Sequence, residues 1–272
     1  MEETRFLCDL PWKHISVHPH GVCSVCCVSN HMHGQSAAAN ILSDGGYEKI
    51  NISEGIPAII NSDSFKEIRK QMVAGEVPPA CKTCHDVELA GGKSKRQKDS
   101  FYMTDVDKST KEDGTISVDL RNVEIRLGNY CNLKCRSCNT NYSSKWREEA
   151  IDRNVPFWEI DNEIDMMDEQ RSKFWTDMSN WTSDILRLEI MGGEPFYMKQ
   201  FKNFANMLMD EGSSQRIAMT LSTNGTVADK VQLDRMANNF KDLAFSVSID
   251  GIEDRFTYLR HPGDWEVTKA NL

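Results

Sequence analysis

Three closely spaced cysteines carry the most specific chemistry in this sequence. Cys131, Cys135 and Cys138 follow the pattern C-x3-C-x2-C, which supplies three thiolates from one short loop. A structural zinc site uses four ligands in a closed tetrahedron, so three thiolates leave such a site incomplete. A [4Fe–4S] cluster held by three cysteines instead keeps one iron open to a further ligand. The triplet therefore favours a cluster with one open coordination position.

The remaining cysteines all lie in the first third of the chain, at Cys8, Cys23, Cys26, Cys27, Cys81 and Cys84. The N-terminal residues contain no apolar segment of the kind that directs export. In a reducing compartment, nine cysteines indicate metal or redox chemistry rather than disulfides. We therefore expect a cytoplasmic protein that binds metal through thiolates.

Charge and hydropathy argue against two classes of partner. The chain has 272 residues, 39% of them hydrophobic and 27% charged, which is typical of a soluble globular protein. Its formal net charge of −9 argues against general binding to a nucleic-acid backbone, which requires a basic surface. No apolar stretch approaches the length needed to cross a membrane. We expect neither a nucleic acid nor a membrane as partner.

Hydrophobic periodicity predicts an α/β protein in two parts. From residue 117 onward, strand patterns alternate with helical patterns, which predicts a parallel sheet with right-handed crossovers. The predicted strands are residues 118–127, 185–190, 217–222 and 243–249, and the predicted helices are residues 144–152, 165–181, 198–209 and 228–240. A polar stretch at residues 103–114 reads as a linker. We therefore divide the chain into residues 1–115 and 116–272.

One helix is predicted in the otherwise loop-rich first part. Phe65, Ile68 and Met72 share one helical face, which indicates a helix packed on the core. Ser64 followed by Glu67 has the form of a capping box at its start, and Gly75 marks its end.

Polar motifs follow the predicted strands where each strand ends. Gly192-Gly193-Glu194 follows the second strand, where glycines allow a ligand close to the backbone and the carboxylate can accept hydrogen bonds from an amino group. Asn224 follows the third strand, Ser248 lies at the end of the fourth, and Asp250 follows the fourth. The cysteine triplet follows the first strand. In α/β proteins, polar groups at this edge of the sheet form the ligand site.

Taken together, these motifs resemble the radical S-adenosylmethionine superfamily. The resemblance implies a (βα) barrel whose three cysteines hold a [4Fe–4S] cluster and whose open iron binds the amino and carboxylate groups of S-adenosylmethionine. The Gly-Gly-Glu segment resembles the element that binds the methionyl amino group. Ser248 and Asp250 resemble the ribose-binding position.

The activity that this resemblance implies is reductive cleavage of S-adenosylmethionine. An electron from the cluster breaks a sulfonium C–S bond, giving methionine and a 5′-deoxyadenosyl radical that abstracts hydrogen from a substrate. The electron would come from a protein such as flavodoxin or ferredoxin. The substrate is unknown, and radical S-adenosylmethionine enzymes that carry a second, auxiliary cluster often act on peptides or proteins.

Two features depart from the family pattern. The residue before the third cysteine is usually aromatic and contacts adenine, whereas here it is Ser137. Such barrels usually have six βα units, whereas only four strands are predicted here. We therefore expect a partial barrel in a sequence truncated at its C-terminal end.

The first part of the chain resembles the twitch or SPASM-like regions that hold an auxiliary cluster. By that resemblance, Cys8, Cys26, Cys81 and Cys84 would bind a second [4Fe–4S] cluster, with Cys27 as the alternative to Cys26. Cys23 matches no ligand position. A zinc ion bound by the same four thiolates would also account for these residues.

Two further hypotheses concern the whole chain. An incomplete barrel could bind clusters without turning over, as a non-catalytic module. Alternatively, all nine cysteines could be structural ligands in a zinc-stabilised interaction protein.

Overall fold

A computed structural model describes most of the chain in two compact units. The first unit comprises Met1–Glu124 with Gln170–Asp184, and the second comprises Ile125–Glu169 with Ile185–Leu272. The described residues are 6–18, 21–29, 40–41, 47–48, 50–99, 109–126, 128–154, 180, 182 and 184–272. The predicted boundary near residue 115 stays a prediction.

The first unit is built from short helices and short strands. In chain order they are α1 (Leu10–Lys13), β1 (His14–Val17), β2 (Cys23–Ser24), β3 (Asn40–Ile41), β4 (Tyr47–Glu48), α2 (Ile56–Ile60), α3 (Asp63–Val73), α4 (Lys82–Leu89) and α5 (Lys95–Asp99). Single turns of 3-10 helix occur at Ile52–Glu54 and Pro79–Cys81. Strand β5 (Asn122–Arg126) follows and spans the boundary between the two units.

Two sets of strands pair within the first unit. Strand β1 pairs with β2 in antiparallel register, with Ser16 opposite Ser24. Its other neighbour is β5, so the order is β2-β1-β5. Strands β3 and β4 form a separate antiparallel pair.

Helix α3 confirms one sequence prediction and corrects another. Phe65, Ile68 and Met72 are buried along one face, as their spacing predicts. The predicted capping box is wrong, because Ser62 is the N-cap residue and Ser64 lies inside the helix. The first amides instead donate to Glu48, with the backbone nitrogens of Asp63 and Ser64 at 2.9 and 2.7 Å from its carboxylate oxygens. A carboxylate from β4 therefore caps the helix.

Arg69 connects three segments of the first unit. Its side chain is fully buried and donates to the carbonyls of Gly114 and Pro11, each at 2.8 Å, and to Oδ1 of Asn61 at 3.3 Å. Burial lowers the pKa of its guanidinium to about 10. Arg69 therefore connects α1 to the end of α2 and to the loop before β5. Its contact in α1 is Pro11, which lies three residues after Cys8.

The second unit has the predicted alternation of strands and helices. After β5 come α6 (Ser144–Asp152), β6 (Arg187–Met191), α7 (Lys199–Asp210), β7 (Ala218–Thr223), α8 (Lys230–Asn239), β8 (Asp242–Val247), α9 (Glu253–Leu259) and α10 (Trp265–Asn271). The strand order is β5-β6-β7-β8. Strand β7 is parallel to β6 and to β8, with Leu188 opposite Met219 and Leu221 opposite Phe245. The described strands form an open sheet, which confirms the α/β class and the partial barrel.

Most predicted elements of the second unit lie within a few residues of the observed ones. Helix α7 buries Phe201, Phe204 and Leu208 on one face, as its periodicity predicts. The predicted helix at residues 165–181 falls almost entirely outside the described residues. Strand β8 is an edge strand of the sheet, and the side chain of its Phe245 is 43% exposed.

None of the helices in the described part of the chain combines the length and the apolar character that crossing a membrane requires.

We expect the substitution Arg69→Leu to lower the free energy of unfolding of the first unit by about 3 kcal/mol, because it leaves buried acceptors without donors. Urea unfolding would measure the loss. Lys70→Leu is the matched control, since Lys70 is the exposed next residue of the same helix. Equal stability of the two variants would contradict the role of Arg69.

Candidate functional site

The cysteine triplet lies in a compact loop between β5 and α6. Cys131 and Cys135 are buried around Leu133, and Cys138 is partly buried against the same group. The start of α6 holds this loop, since Ser143 Oγ donates to the Leu133 carbonyl at 2.5 Å. The Cys131 amide donates to Ser144 Oγ at 3.2 Å. The sequence after the cysteines therefore fixes the shape of the loop that carries them.

A second segment binds the other side of this loop. The amides of Lys134 and Arg136 donate to the carbonyls of His261 and Leu259, each at 2.7 Å. We call residues 259–263, which run from the last residue of α9 into the loop before α10, the strap. A side chain at Gly263 would meet the Arg260 carbonyl at 2.8 Å, so the strap needs glycine at this position. The strap gives the short loop two further backbone anchors.

Arg260 lies in the strap and reaches the thiols. It is 8% exposed, and its Nη1 lies 3.7 Å from Cys135 Sγ. Its Nη2 lies 2.8 Å from Asp250 Oδ2. Its Nε has no hydrogen-bond partner among the described residues. The guanidinium therefore joins a cysteine of the triplet to a residue predicted to bind ribose.

An open cleft of about 390 Å³ brings most of the predicted residues together. Its lining includes all three cysteines, four of the six predicted cofactor residues and Arg260: Cys131, Cys135, Cys138, Gly192, Gly193, Asn224, Ser248 and Arg260. Ser137 also lines the cleft, at the position that is usually aromatic in the resembled family. Of the described residues predicted to bind cofactor, Glu194 and Asp250 are not part of the lining. The strand ends and the cysteine loop therefore face one space.

Glu194 is buried next to the cleft and binds protein groups. One carboxylate oxygen accepts hydrogen bonds from the Thr223 hydroxyl at 2.8 Å and the Phe196 amide at 3.2 Å. The other accepts from the Asn224 amide at 2.7 Å. Burial raises the pKa of this carboxyl, and the three donors act in the opposite direction. Its predicted contact with an amino group stays a prediction, while its observed contacts fix the loop after β7.

Asn224 connects that loop to the cysteines. Its Nδ2 lies 2.9 Å from Asn132 Oδ1 and 3.9 Å from Cys131 Sγ. Thr226 closes the link, because its hydroxyl donates to Asn224 Oδ1 and accepts from Asn132 Nδ2. Sequence reasoning missed Asn132, Thr226 and Arg260. Asn132 lies between Cys131 and Cys135, and this position is the one sequence signal that could have identified it.

Glycine is required where β6 meets the cysteine loop. Gly193 has φ of +53°, and a Cβ there would lie 2.2 Å from the Tyr130 carbonyl oxygen. The next amide, of Glu194, donates to that same carbonyl at 2.8 Å. The two backbones therefore approach too closely for any side chain.

The first unit brings four other cysteines together. Cys8, Cys26, Cys81 and Cys84 all line one small cavity of about 20 Å³. They come from separate segments: before α1, after β2, at the end of the turn Pro79–Cys81, and from α4. Burial raises the pKa of the Cys8 and Cys26 thiols to about 12. These are the four positions that the resemblance implies for an auxiliary cluster.

The two remaining cysteines are not among the residues that line this cavity. Burial raises the pKa of the Cys27 thiol to about 12, and the negative charge of Glu124 acts in the same direction. The Cys23 thiol donates to the Gly21 carbonyl at 3.6 Å. The geometry therefore separates Cys26 from Cys27.

Two cationic residues, Lys95 and Arg96, also line this cavity. Arg96 donates to the Leu7 carbonyl at 2.7 Å and lies 4.4 Å from the centre of the Phe6 ring. Its other nitrogens bind Glu88 of α4 at 3.0 and 2.5 Å. Arg96 therefore holds the segment before Cys8 and places positive charge beside the thiols.

Both cysteine sets have the donor chemistry of iron–sulfur sites, because thiolates beside N–H donors and cations suit a buried anionic cluster. Among the described residues, no three His, Cys, Asp or Glu side chains converge to bind a single metal ion. A cubane does not require such convergence, since its cysteines bind different irons.

We expect Gly193→Ala to lower the free energy of unfolding by about 3 kcal/mol, because left-handed strain adds to a backbone clash. Gly212→Ala is the matched control, with φ of +74° and open space around the new Cβ. It should cost only about 1 kcal/mol. Similar losses in urea unfolding of the two variants would show that close approach at Gly193 is unimportant.

Family models match both parts of the chain. The model for an iron-sulfur cluster-binding domain matches residues 8–85, a range that contains all four cysteines of the first cavity. The model for the Radical SAM superfamily matches residues 125–272. A comparison with curated proteins gives no match.

One similar solved structure is the crystal structure of Streptococcus suis SuiB bound to precursor peptide SuiA. It is 15% identical, with a TM-score of 0.33, over 85% of this chain and 50% of that chain. This chain therefore spans half the length of that protein, and a likeness of this size carries no functional argument.

The superfamily model covers more than half of the chain, and its matched range contains the cysteine triplet, the strand ends and the strap. This chain therefore belongs to the radical S-adenosylmethionine superfamily.

Proposed function

We propose that this chain is a radical S-adenosylmethionine enzyme. In this proposal, Cys131, Cys135 and Cys138 hold a [4Fe–4S] cluster, and S-adenosylmethionine binds beside it in the cleft. The observation that carries the proposal is that three thiols, two glycines at a strand end, Asn224 and Ser248 line the same cleft.

When bound, the cluster and S-adenosylmethionine supply one-electron cleavage of a sulfonium C–S bond and a 5′-deoxyadenosyl radical that abstracts hydrogen from a substrate. The protein must hold the cluster and orient the cofactor. Gly192 and Gly193 leave the backbone free of side chains on the cleft. Ser248 presents a hydroxyl there, and its amide is fixed by the Thr223 carbonyl at 2.9 Å.

The chain also supplies groups that offset the charge of the thiolates. The Leu133 amide donates to Cys131 Sγ at 3.4 Å, and Asn224 and Arg260 approach Cys131 and Cys135 as described. Hydrogen bonds to cluster sulfurs favour the reduced state. Asp250 acts through Arg260, since their ion pair orients the guanidinium.

We further propose that Cys8, Cys26, Cys81 and Cys84 hold an auxiliary [4Fe–4S] cluster. Their shared cavity and the matched cluster-binding domain support this assignment. Cys26 lines this cavity and Cys27 does not, which favours Cys26 as the ligand. Arg96 and Lys95 would offset the negative charge of the four thiolates.

The substrate, the electron donor and the compartment complete the proposal. A peptide or protein substrate is the class that the auxiliary-cluster region implies. A flavodoxin or ferredoxin would supply the electron. Cysteines used as metal ligands rather than as disulfides are typical of a reducing, cytoplasmic location.

Iron and sulfide analysis of the anaerobically reconstituted protein tests both clusters. We expect about eight irons in the parent and about four in the triple variant Cys131→Ala, Cys135→Ala, Cys138→Ala, because each cubane holds four. Cys23→Ala is the matched control and should keep about eight. The reduced EPR signal should change on addition of S-adenosylmethionine, except in the triple variant.

Other results would overturn the proposal. Stoichiometric zinc in place of iron would support a structural role for the cysteines. Full iron loading with no cleavage of S-adenosylmethionine after chemical reduction would support a non-catalytic module.

We expect Arg260→Gln to lower the midpoint potential of the triplet cluster, because it removes a cationic donor from Cys135. A hydrogen bond of about 1.4 kcal/mol corresponds to about 60 mV for one electron. EPR-monitored redox titration measures the shift. Arg136→Gln serves as the control, because Arg136 lies in the cysteine loop but its guanidinium lies over the Tyr258 ring. An unchanged potential at full iron content would contradict this role.

A further inference from the structure

The cysteine loop borders a second cleft that the proposed function does not use. This cleft also measures about 390 Å³ and shares Cys138 and Asn139 with the first. The rest of its lining comes from the loop, from α6 and from the residue after α6: Arg136, Thr140, Trp146, Glu149, Ala150 and Arg153. Cys138, the partly buried member of the triplet, can therefore be approached from two clefts.

The two clefts must differ in use if the proposed function is correct. In that function, the first cleft is the one that S-adenosylmethionine would fill. An electron-donor protein also has to come close to the cluster, because electron transfer slows steeply with distance. The second cleft offers that approach without displacing the cofactor.

The charge around the second cleft favours an acidic partner. Its lining contains two arginines, Arg136 and Arg153, and one carboxylate, Glu149. That carboxylate already binds two cations, Lys134 and Arg153, each at 2.6 Å. Arg136 is exposed, with its guanidinium 4.9 Å from the centre of the Tyr258 ring. A local excess of positive charge on a chain of net charge −9 is suited to steer an acidic protein to this place.

Trp146 connects the second cleft to the triplet. Its ring lines the cleft, and its Nε1 donates to the Cys135 carbonyl at 2.8 Å. One aromatic side chain therefore joins the surface of the cleft, through a hydrogen bond, to the backbone of a cysteine in the triplet.

We propose that Arg136, Trp146, Arg153 and the exposed edge of Cys138 form the docking surface for an acidic electron-donor protein that carries a flavin or an iron–sulfur cluster. The donor loses one electron and the triplet cluster gains it, with no bond made or broken and no proton moved. This inference rests on the proposed function and adds to it the site of electron entry.

The test compares reduction of the reconstituted full chain by two reductants, reduced flavodoxin and excess dithionite. The variant combines Arg136→Glu with Arg153→Glu. The control is Lys241→Glu, a charge reversal of the same kind but half as large in total, at an exposed residue just before β8, at the opposite end of the parallel strands from the cysteines. Loss of the visible absorbance of the cluster reports its reduction, and iron analysis checks the loading of each protein.

We expect the double variant to be reduced by flavodoxin about tenfold more slowly than the parent, with a weaker dependence on salt, because electrostatic steering is lost. Excess dithionite should reduce the parent, variant and control to the same extent. The control should react with flavodoxin at the parent rate.

Equal flavodoxin rates for parent and double variant, or equal slowing in Lys241→Glu, would overturn the docking surface while leaving the proposed function intact. If the charge reversals reduce iron loading, Arg136→Gln with Arg153→Gln replaces them, and a parent-like rate again overturns the inference. If the parent binds no cluster, or cleaves no S-adenosylmethionine with dithionite, the proposed function fails and this inference fails with it.

Discussion

The buried carboxylate of Glu194 is the interaction on which the functional edge of the second unit depends. Its own amide binds Tyr130 in the cysteine loop, while its side chain binds Thr223 and Asn224 after β7. One residue at the end of β6 therefore fixes the loops that follow the strands on either side. Burial of a carboxylate is costly, and three donors offset that cost. Separate loops would each lose more conformational entropy on binding a ligand.

The two cysteine sets meet a common electrostatic requirement in different ways. Thiolates in a protein interior need nearby donors or cations, because desolvation disfavours their charge. The triplet receives its cation from Arg260, 125 residues beyond Cys135 in the chain. The first unit uses Arg96, which follows Cys84 closely and also holds the segment before Cys8. Long-range and local contacts thus serve the same purpose.

This contrast explains how much of the site could be predicted from the sequence. Spacing identifies Cys131, Cys135 and Cys138, and hydrophobic periodicity predicts the strands that lead to Gly193 and Asn224, because these signals are local. The sequence could not predict that Glu194 would be buried under three donors. The contact of Arg260 with the cysteines and the cap that Glu48 provides to α3 are likewise hidden, since each joins distant segments through tertiary packing. Features encoded by neighbouring residues could therefore be predicted from the sequence, whereas contacts between distant segments could not.

The sizes of the two cavities determine how easily oxygen reaches each set of cysteines when the protein is handled in air. The triplet opens onto about 390 Å³ of accessible cleft, whereas the four cysteines of the first unit enclose about 20 Å³. Dissolved oxygen and peroxide can enter the larger space and have almost no room in the smaller one. Oxidative damage should therefore be ordered in time, with iron lost from the triplet first. If both proposed clusters are present, a brown, air-exposed preparation would retain iron at the four cysteines of the first unit after the triplet has lost its own.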